Sequence, residues 1–281
     1  MPDTCPSRTA LRVAQRRAAH QILDEPRLFD DPLALPILGL RPETYAHPDP
    51  AEQTPYERGL RAFLAVRSRF VEDMLRAAVR QGVGQYVVLG AGLDTFGCRN
   101  PFGDGLRVFE VDRPAVSAWK RDRLAAAGIP VPSSLGFAAM DFASQGLREE
   151  LCRAGFDPAA PAFFSWLGVT QYLAPDEVLA TLGAVATLPA GSAVVFDYAL
   201  APGLMEPRLR QVYAHLARRV AAAGEPFLSS FDPAALAADL RDLGFTALDD
   251  LGAADLNARY FAGRSDGLRV GGSARIMHAR I

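Results

Sequence analysis

The chain has 281 residues, 49% of them hydrophobic and 22% charged, with a formal net charge of −2. This is a globular composition, long enough for one large domain with a sizeable core, and too evenly charged to predict a broad basic face for nucleic acid or anionic membrane. No apolar run reaches the roughly 18 residues of a membrane helix, and the start MPDTCPSRTA lacks the apolar core of a signal peptide, so a cytoplasmic protein without nucleic-acid or membrane partners is expected.

Residues 7–23 predict a helix, because Ser7 or Thr9 can cap it and Leu11, Ala14, Ala18 and Ile22 recur at helical spacing. A break at Asp24-Glu25-Pro26 leads into a proline-interrupted apolar stretch over 27–40. A loop follows over 41–55, with Pro42, Pro48, Pro50 and Pro55. A strong amphipathic helix is predicted over about 57–80, its stripe marked by Leu60, Phe63, Leu64, Phe70, Val71, Met74, Leu75 and Ala78. Arg67 stands seven residues from both Leu60 and Met74 and therefore lies inside that stripe, whereas Arg69 points away. A guanidinium on an apolar face needs a carboxylate partner or a wet cleft. Two readings follow for Arg67: a structural ion pair or snorkelling side chain, or a group facing a ligand carboxylate.

From Gln85 the pattern alternates strand and helix. Strands are predicted at Gln85–Leu89, Val108–Asp112, Phe137–Met140, Ala162–Leu167 and Ala193–Tyr198, with helices at about 114–127, 143–154 and 175–188 between them. Such alternation implies an open parallel sheet with helices on both faces. Further helices are predicted at 203–223, carrying Leu204, Leu209, Val212, Leu216 and Val220, and at 233–243, with a closing strand at Ala274–Ile281.

The cysteines (Cys5, Cys98, Cys152) and histidines (His20, His47, His215, His278) are scattered, with no CxxC and no HExxH, so neither a disulfide framework nor a metal site is predicted. There is no GxSxG elbow, and Lys120, the only lysine, is in no phosphate-loop motif.

The first strand runs into Gly90-Ala91-Gly92-Leu93-Asp94-Thr95. Glycines at that position let a backbone approach a ligand closely, although a GxG alone is weak evidence. Asp112 ends the second strand 20 residues after Gly92, the spacing at which an acid reaches ribose hydroxyls, with Glu110 as an alternative. Asp141 follows the third strand, where an acid can accept from an adenine amino group or simply cap a helix. Together these features point to an adenosine ligand. Thr95 replaces the third glycine of the dinucleotide fingerprint and no phosphate-binding lysine is present, which argues against a pyrophosphate. S-adenosyl-L-methionine fits better: acidic strand ends suit its adenosine and Arg67 its carboxylate.

The strings VVLGAGLDTFGCR (87–99), VFEVDRP (108–114), MDF (140–142) and FSWLGVTQYL (164–173) resemble the leucine carboxyl methyltransferase family of class I S-adenosylmethionine-dependent enzymes. The segments 9–34, 67–75 and 260–268 resemble the same family, so the likeness spans nearly the whole chain. It implies an α/β fold with a Rossmann-like, seven-stranded, mostly parallel sheet. It also implies an added N-terminal helical region, here a cap over 1–56 before a methyltransferase domain over 57–281; the amphipathic insertion after strand five, at about 203–228, is expected to act as a helical lid, since the sheet itself does not call for it. The resemblance implies cofactor contacts at Arg67, Gly90, Asp112, Asp141 and Phe142; the loop residues Ala91, Gly92 and Asp94, together with Glu110 and with Leu167, which stands where the family often has a glutamate, complete the expected set.

The implied reaction is O-methylation of a small-molecule acceptor, carboxyl or hydroxyl, leaving S-adenosyl-L-homocysteine. Tyr172, Asp197 and Tyr198, near the ends of strands four and five, are the candidates for a catalytic role. The alternatives are an NAD-dependent oxidoreductase, which shares the strand–glycine–acid layout, and a catalytically silent S-adenosylmethionine-binding protein, suggested by Leu167.

Overall fold

The computed structural model describes residues 8–45, 49–140, 146–222 and 224–281. Among them, seven strands form one sheet: β1 Gln85–Leu89, β2 Arg107–Asp112, β3 Leu135–Ala139, β4 Ala162–Trp166, β5 Ala193–Ala199, β6 Ala247–Leu251 and β7 Ala274–Arg280. Their order is β3-β2-β1-β4-β5-β7-β6. The first five are parallel, and β7 is antiparallel to both neighbours. Leu89 is in register with Val111 of β2 and Trp166 of β4, so the carboxyl ends of these three strands lie side by side. The chain order reverses at β1, and a ligand crevice forms at such a switch point.

The parallel strands are apolar on both faces, as a doubly covered sheet requires. Tyr86, Val88 and Val195 face one core, built with Phe70 and Leu75 of α2 Pro55–Arg80. Val87, Leu89 and Phe196 face the other, under α6 Pro175–Ala186 and α8 Pro233–Asp242. Phe70 and Leu75 are fully buried, each a contribution of about 1.5–3 kcal/mol. Pro55 occupies the first turn of α2 and the Thr54 hydroxyl caps it by accepting from Glu57 N at 3.3 Å.

A third cluster joins α1 Arg8–Leu23 and the 33–38 stretch to α4 Pro114–Ala126, through Ala14, Ala18, Leu35, Ile37, Leu93 and Leu124. Ile22, expected on the apolar stripe of α1, is instead 39% exposed.

Beyond α1, Asp24 is buried between Arg61 and His20. Arg61 of α2 grips it through Nε and Nη2, both at 2.8 Å, and His20 Nδ1 lies 2.8 Å from Oδ2. His20 Nε2 accepts from the backbone N–H groups of Leu28 and Phe29 at 3.2 Å, so Nδ1 carries the proton and donates to Asp24.

Two elements differ from expectation. β6 is absent from the apolar pattern because the adjacent acids Asp249 and Asp250 break its alternation; Arg280 and Arg275 of β7 pair with them. The helix expected over 203–223 splits at Met205-Glu206 into a short turn, Pro202–Leu204, and α7 Pro207–Ala222, which has no fully buried residue. The expected start of the 143–154 helix lies outside the described residues; α5 is described over Leu147–Arg153. No described helix is long and apolar enough to cross a membrane.

Burial alone would raise the Asp24 carboxyl, but the bonds from Arg61 and His20 outweigh it and hold its pKa at about 2. A depressed carboxyl contributes stability above its unfolded pKa and loses it as pH falls through the folded value. Urea unfolding should therefore weaken by about 2 kcal/mol between pH 4 and pH 2, and Asp24→Asn should remove that part of the pH dependence.

Candidate functional site

The carboxyl ends of β1, β2 and β4 open into a cavity of about 490 Å³. Its floor is Gly90–Asp94, its flanks are Asp112-Arg113 and Leu167–Val169, and α1 covers it with Thr9, Ala10, Val13 and Arg17.

Gly90 has φ +66°, and a Cβ there would stand 2.4 Å from Val169 Cγ2, so neither the turn nor the space admits a side chain. The Gly90 and Ala91 N–H groups both donate to Val111 O, at 2.8 and 3.1 Å, lashing the loop to β2. Asp112 Oδ2 accepts from Gly92 N at 2.6 Å and Oδ1 from Arg113 N at 2.8 Å. Burial raises the Asp112 carboxyl above its usual value, and these two backbone bonds offset only part of that.

Arg67 reaches the cavity from the buried face of α2 and donates from Nη1 to Asp197 Oδ2 at 2.7 Å. Asp197 Oδ1 accepts from Gly168 N at 2.5 Å. Gly168 has φ +74°, and a Cβ there would lie 2.9 Å from the guanidinium, so this glycine makes the room that Arg67 occupies. Arg67 therefore forms a buried ion pair, the first of its two sequence readings, and it also lines the cavity. Leu167 and Tyr172 also line it.

Asp94 is held differently from the glycines beside it. Its Oδ2 accepts from Arg17 Nη1 at 2.7 Å and its Oδ1 from Phe96 N at 2.7 Å. Burial pushes the Asp94 carboxyl up, but the charges of Arg17 and Arg99 more than reverse this and keep it ionised. Arg17 also donates from Nη2 to the buried Asp31 at 2.7 Å, which ties α1 to the floor loop.

Three residues expected at the site lie elsewhere. Glu110 does not line the cavity: it is buried beneath it and paired with Lys120, which explains the single lysine as a packing partner. Asp197 is 4% exposed with both carboxylate oxygens engaged, so it positions Arg67 and is not poised as a base. Tyr198 points to the opposite face of the sheet, where its hydroxyl donates to Asp250 Oδ2 at 2.9 Å. Asp141 and Phe142 fall outside the described residues.

The structure adds Thr9, Arg17, Glu72 and Glu225 to the cavity wall. Arg17 was legible in principle, since it sits between Ala14 and Ala18 on the apolar stripe of α1. Glu225 carried no such mark: its place follows from how the segment after α7 folds back. Among the described residues, no group of three or more metal-ligating side chains occurs.

The pattern of the leucine carboxyl methyltransferase family matches residues 10–186. YktD of Bacillus subtilis, provisionally named an S-adenosyl-L-methionine-dependent methyltransferase, is 30% identical over 97% of this chain and 97% of its own. A protein of Saccharopolyspora erythraea with the same provisional description is 35% identical over 67% of this chain and 66% of its own. Among solved structures, a duf574-family protein from Streptomyces avermitilis has TM-score 0.58 at 17% identity, covering 99% of this chain and 98% of that one. A provisionally named methyltransferase from Thermobifida fusca has TM-score 0.56 at 21% identity, covering 79% and 82%. At these identities the structures share the fold.

If Glu110 is a structural partner of Lys120, removing one charge strands the other. Lys120→Met should lower the unfolding free energy by about 3–5 kcal/mol, and Glu110→Leu/Lys120→Met should regain most of it, as read by urea denaturation.

Proposed function

This chain belongs to the leucine carboxyl methyltransferase family, and on that premise we propose that it transfers the methyl group of S-adenosyl-L-methionine to an oxygen of a small-molecule acceptor. The observation that carries the reading is one glycine-floored cavity flanked by an acid and a guanidinium. Asp112 stands at the end of β2, and Arg67 is held between β4 and β5. With strands about 4.8 Å apart, the ends of β2 and β5 are roughly 14 Å from each other, a span that suits a ribose at one end and an amino-acid carboxylate at the other.

The residues present fit the cofactor. Gly90, with φ +66° and no side chain, puts bare loop backbone on the cavity floor, and Asp112 can accept from ribose hydroxyls. Arg67 makes no hydrogen bond from Nε or Nη2 to another described residue and can meet the carboxylate there. Leu167 supplies an apolar wall in place of the family glutamate. S-adenosyl-L-methionine supplies, when bound, an electrophilic methyl group on a sulfonium. The chain's own work is to align donor and acceptor, where proximity contributes much of the acceleration, and to exclude water. We assign that exclusion to the cap, residues 1–56, and to a lid at about 203–228.

The turn after Gly92 weighs against a dinucleotide. Thr95 is buried, and its hydroxyl donates to Asp31 Oδ1 at 2.7 Å. The helix that follows, α3 Phe96–Arg99, is a single turn, short of the helix whose N-terminus holds a pyrophosphate.

Titration calorimetry with S-adenosyl-L-methionine, S-adenosyl-L-homocysteine and NAD tests the proposal. The first two should bind at micromolar concentration and NAD should not; binding of NAD alone overturns it. Asp112→Ala and Arg67→Lys should each weaken S-adenosyl-L-methionine binding tenfold or more, about 1.4 kcal/mol. The Lys variant keeps a charge opposite Asp197, and unchanged affinity in either would remove that residue from the site.

A further inference from the structure

Where α1 and α2 meet the floor loop, the buried charges do not balance. Arg17 donates to Asp31 and to Asp94, and Arg99 pairs with Glu72 and approaches Asp31 at 3.4 Å. Among the described residues, three carboxylates of this network share two guanidinium groups, and Arg17, Glu72 and Asp94 line the cavity. The neighbouring cations are engaged elsewhere. Lys120 is buried against Glu110, Arg67 is paired with Asp197, and Arg113 is exposed beside Asp112 at the end of β2. One negative charge is left over, and a charge removed from water calls for a partner of opposite sign.

The hydrogen bonds show which carboxylate is open. Asp31 is fully buried; its Oδ2 takes Arg17, and its Oδ1 takes the Thr95 hydroxyl and Leu33 N. Asp94 gives one oxygen to Arg17 and the other to Phe96 N. Glu72 gives Oε1 to Arg99, while its Oε2 takes no hydrogen bond from another described residue and its side chain keeps 17% exposure at the cavity wall. Burial raises the Glu72 carboxyl above its usual value, and Arg99 offsets only part of that rise. Glu72 stands five residues after Arg67 on α2, and Ser68 and Val71 between them also line the cavity. Five residues rise about 7.5 Å along a helix, roughly the length of an α-amino acid hydrogen-bonded at both ends. Below, β1 and β4 contain no acid: Tyr86 and Ser165 bond each other at 2.7 Å, and Leu167 after β4 is apolar.

We propose that Glu72 receives the α-ammonium group of the S-adenosyl-L-methionine amino-acid end while Arg67 receives its carboxylate, so that one helix clamps both charges. This rests on the methyltransferase reading above and deepens it. The ammonium is then the cation that the Arg17–Asp31–Asp94–Arg99–Glu72 network lacks, and Leu167 needs no acid in its place. The network also reaches α1 through Arg17, so the cation that fills it neutralises the charge shared by the cover and the floor loop. Glu72 is a positioning residue for the cofactor. It fixes the amino-acid end, and with it the sulfur that carries the methyl group.

The test is calorimetry with three ligands: S-adenosyl-L-homocysteine, its deaminated analogue, which keeps the carboxylate and lacks the ammonium, and 5′-methylthioadenosine, which lacks both. The unaltered chain should bind S-adenosyl-L-homocysteine about tenfold or more tighter than the deaminated analogue, the scale of a hydrogen bond between charged groups. Glu72→Gln should weaken S-adenosyl-L-homocysteine by about that factor and leave the other two ligands within about twofold, which erases the preference. Glu72→Asp keeps a charge beside Arg99 and shortens the reach, and its preference should fall between the two. Equal binding of S-adenosyl-L-homocysteine and the deaminated analogue by the unaltered chain overturns the inference. So does an undiminished preference in either variant, or an equal loss of all three ligands in Glu72→Gln, which would make Glu72 a structural partner of Arg99 alone. Failure of the unaltered chain to bind S-adenosyl-L-homocysteine at all overturns the methyltransferase reading instead, and this inference with it.

Discussion

A guanidinium removed from water must be paired, and the pairing of Arg67 with Asp197 organises the rest of the site. Arg67 comes from α2 and Asp197 from β5, so the bond pins the long helix over the carboxyl end of the sheet. The second oxygen of Asp197 takes the Gly168 N–H, and its backbone carbonyl takes the Thr170 hydroxyl at 2.7 Å. The turn after β4 is thereby fixed, and with it the position of Tyr172 on the cavity wall. Gly168 completes the arrangement, since any side chain there would displace the arginine. Buried ion pairs are seldom a net source of stability. What this one contributes is geometry.

The same rule governs the attachment of the N-terminal helix. Arg17 is shared between Asp31 and Asp94, and Arg99 pairs with Glu72 and approaches Asp31 at 3.4 Å, with Phe29 beneath both guanidinium groups. One carboxylate of this network, Asp94, belongs to the floor loop itself. The cover and the floor are therefore one electrostatic unit, and movement of α1 away from the cavity would have to break the Arg17–Asp94 bond. At the outer edge, Thr9 and Glu225 join the cover to the segment after α7. That helix is the least anchored of the long ones, with Val212 43% exposed and Leu228 beyond it 55% exposed.

Much of this protein is written along the chain at short range. The apolar runs at 85–89 and 193–198, the stripe of 57–80 and the glycines at 90 and 92 are local patterns, and each became the element it predicts. Arg67 was visible because a charge inside a helical stripe violates the pattern around it. The acid at the end of β2 was visible because strand length fixes its distance from the glycine loop. β6 was not, because two adjacent acids erase the alternation that marks a strand, and their partners lie on β7, more than twenty residues away.

The sequence by itself determined the alternating α/β architecture, the ligand edge of the sheet and the residues flanking its first loop, since these depend on periodicity and on spacing along one strand. Only the tertiary structure decided which charges meet. Glu110 and Asp112 lie two residues apart on the same strand, yet one is buried against Lys120 and the other opens on the cavity. Asp197 answers Arg67 across 130 residues, and Glu225 meets Thr9 across 216. Such partners are selected by the low dielectric of the folded interior, which forbids an unpaired charge but leaves no trace of its partner in the local sequence.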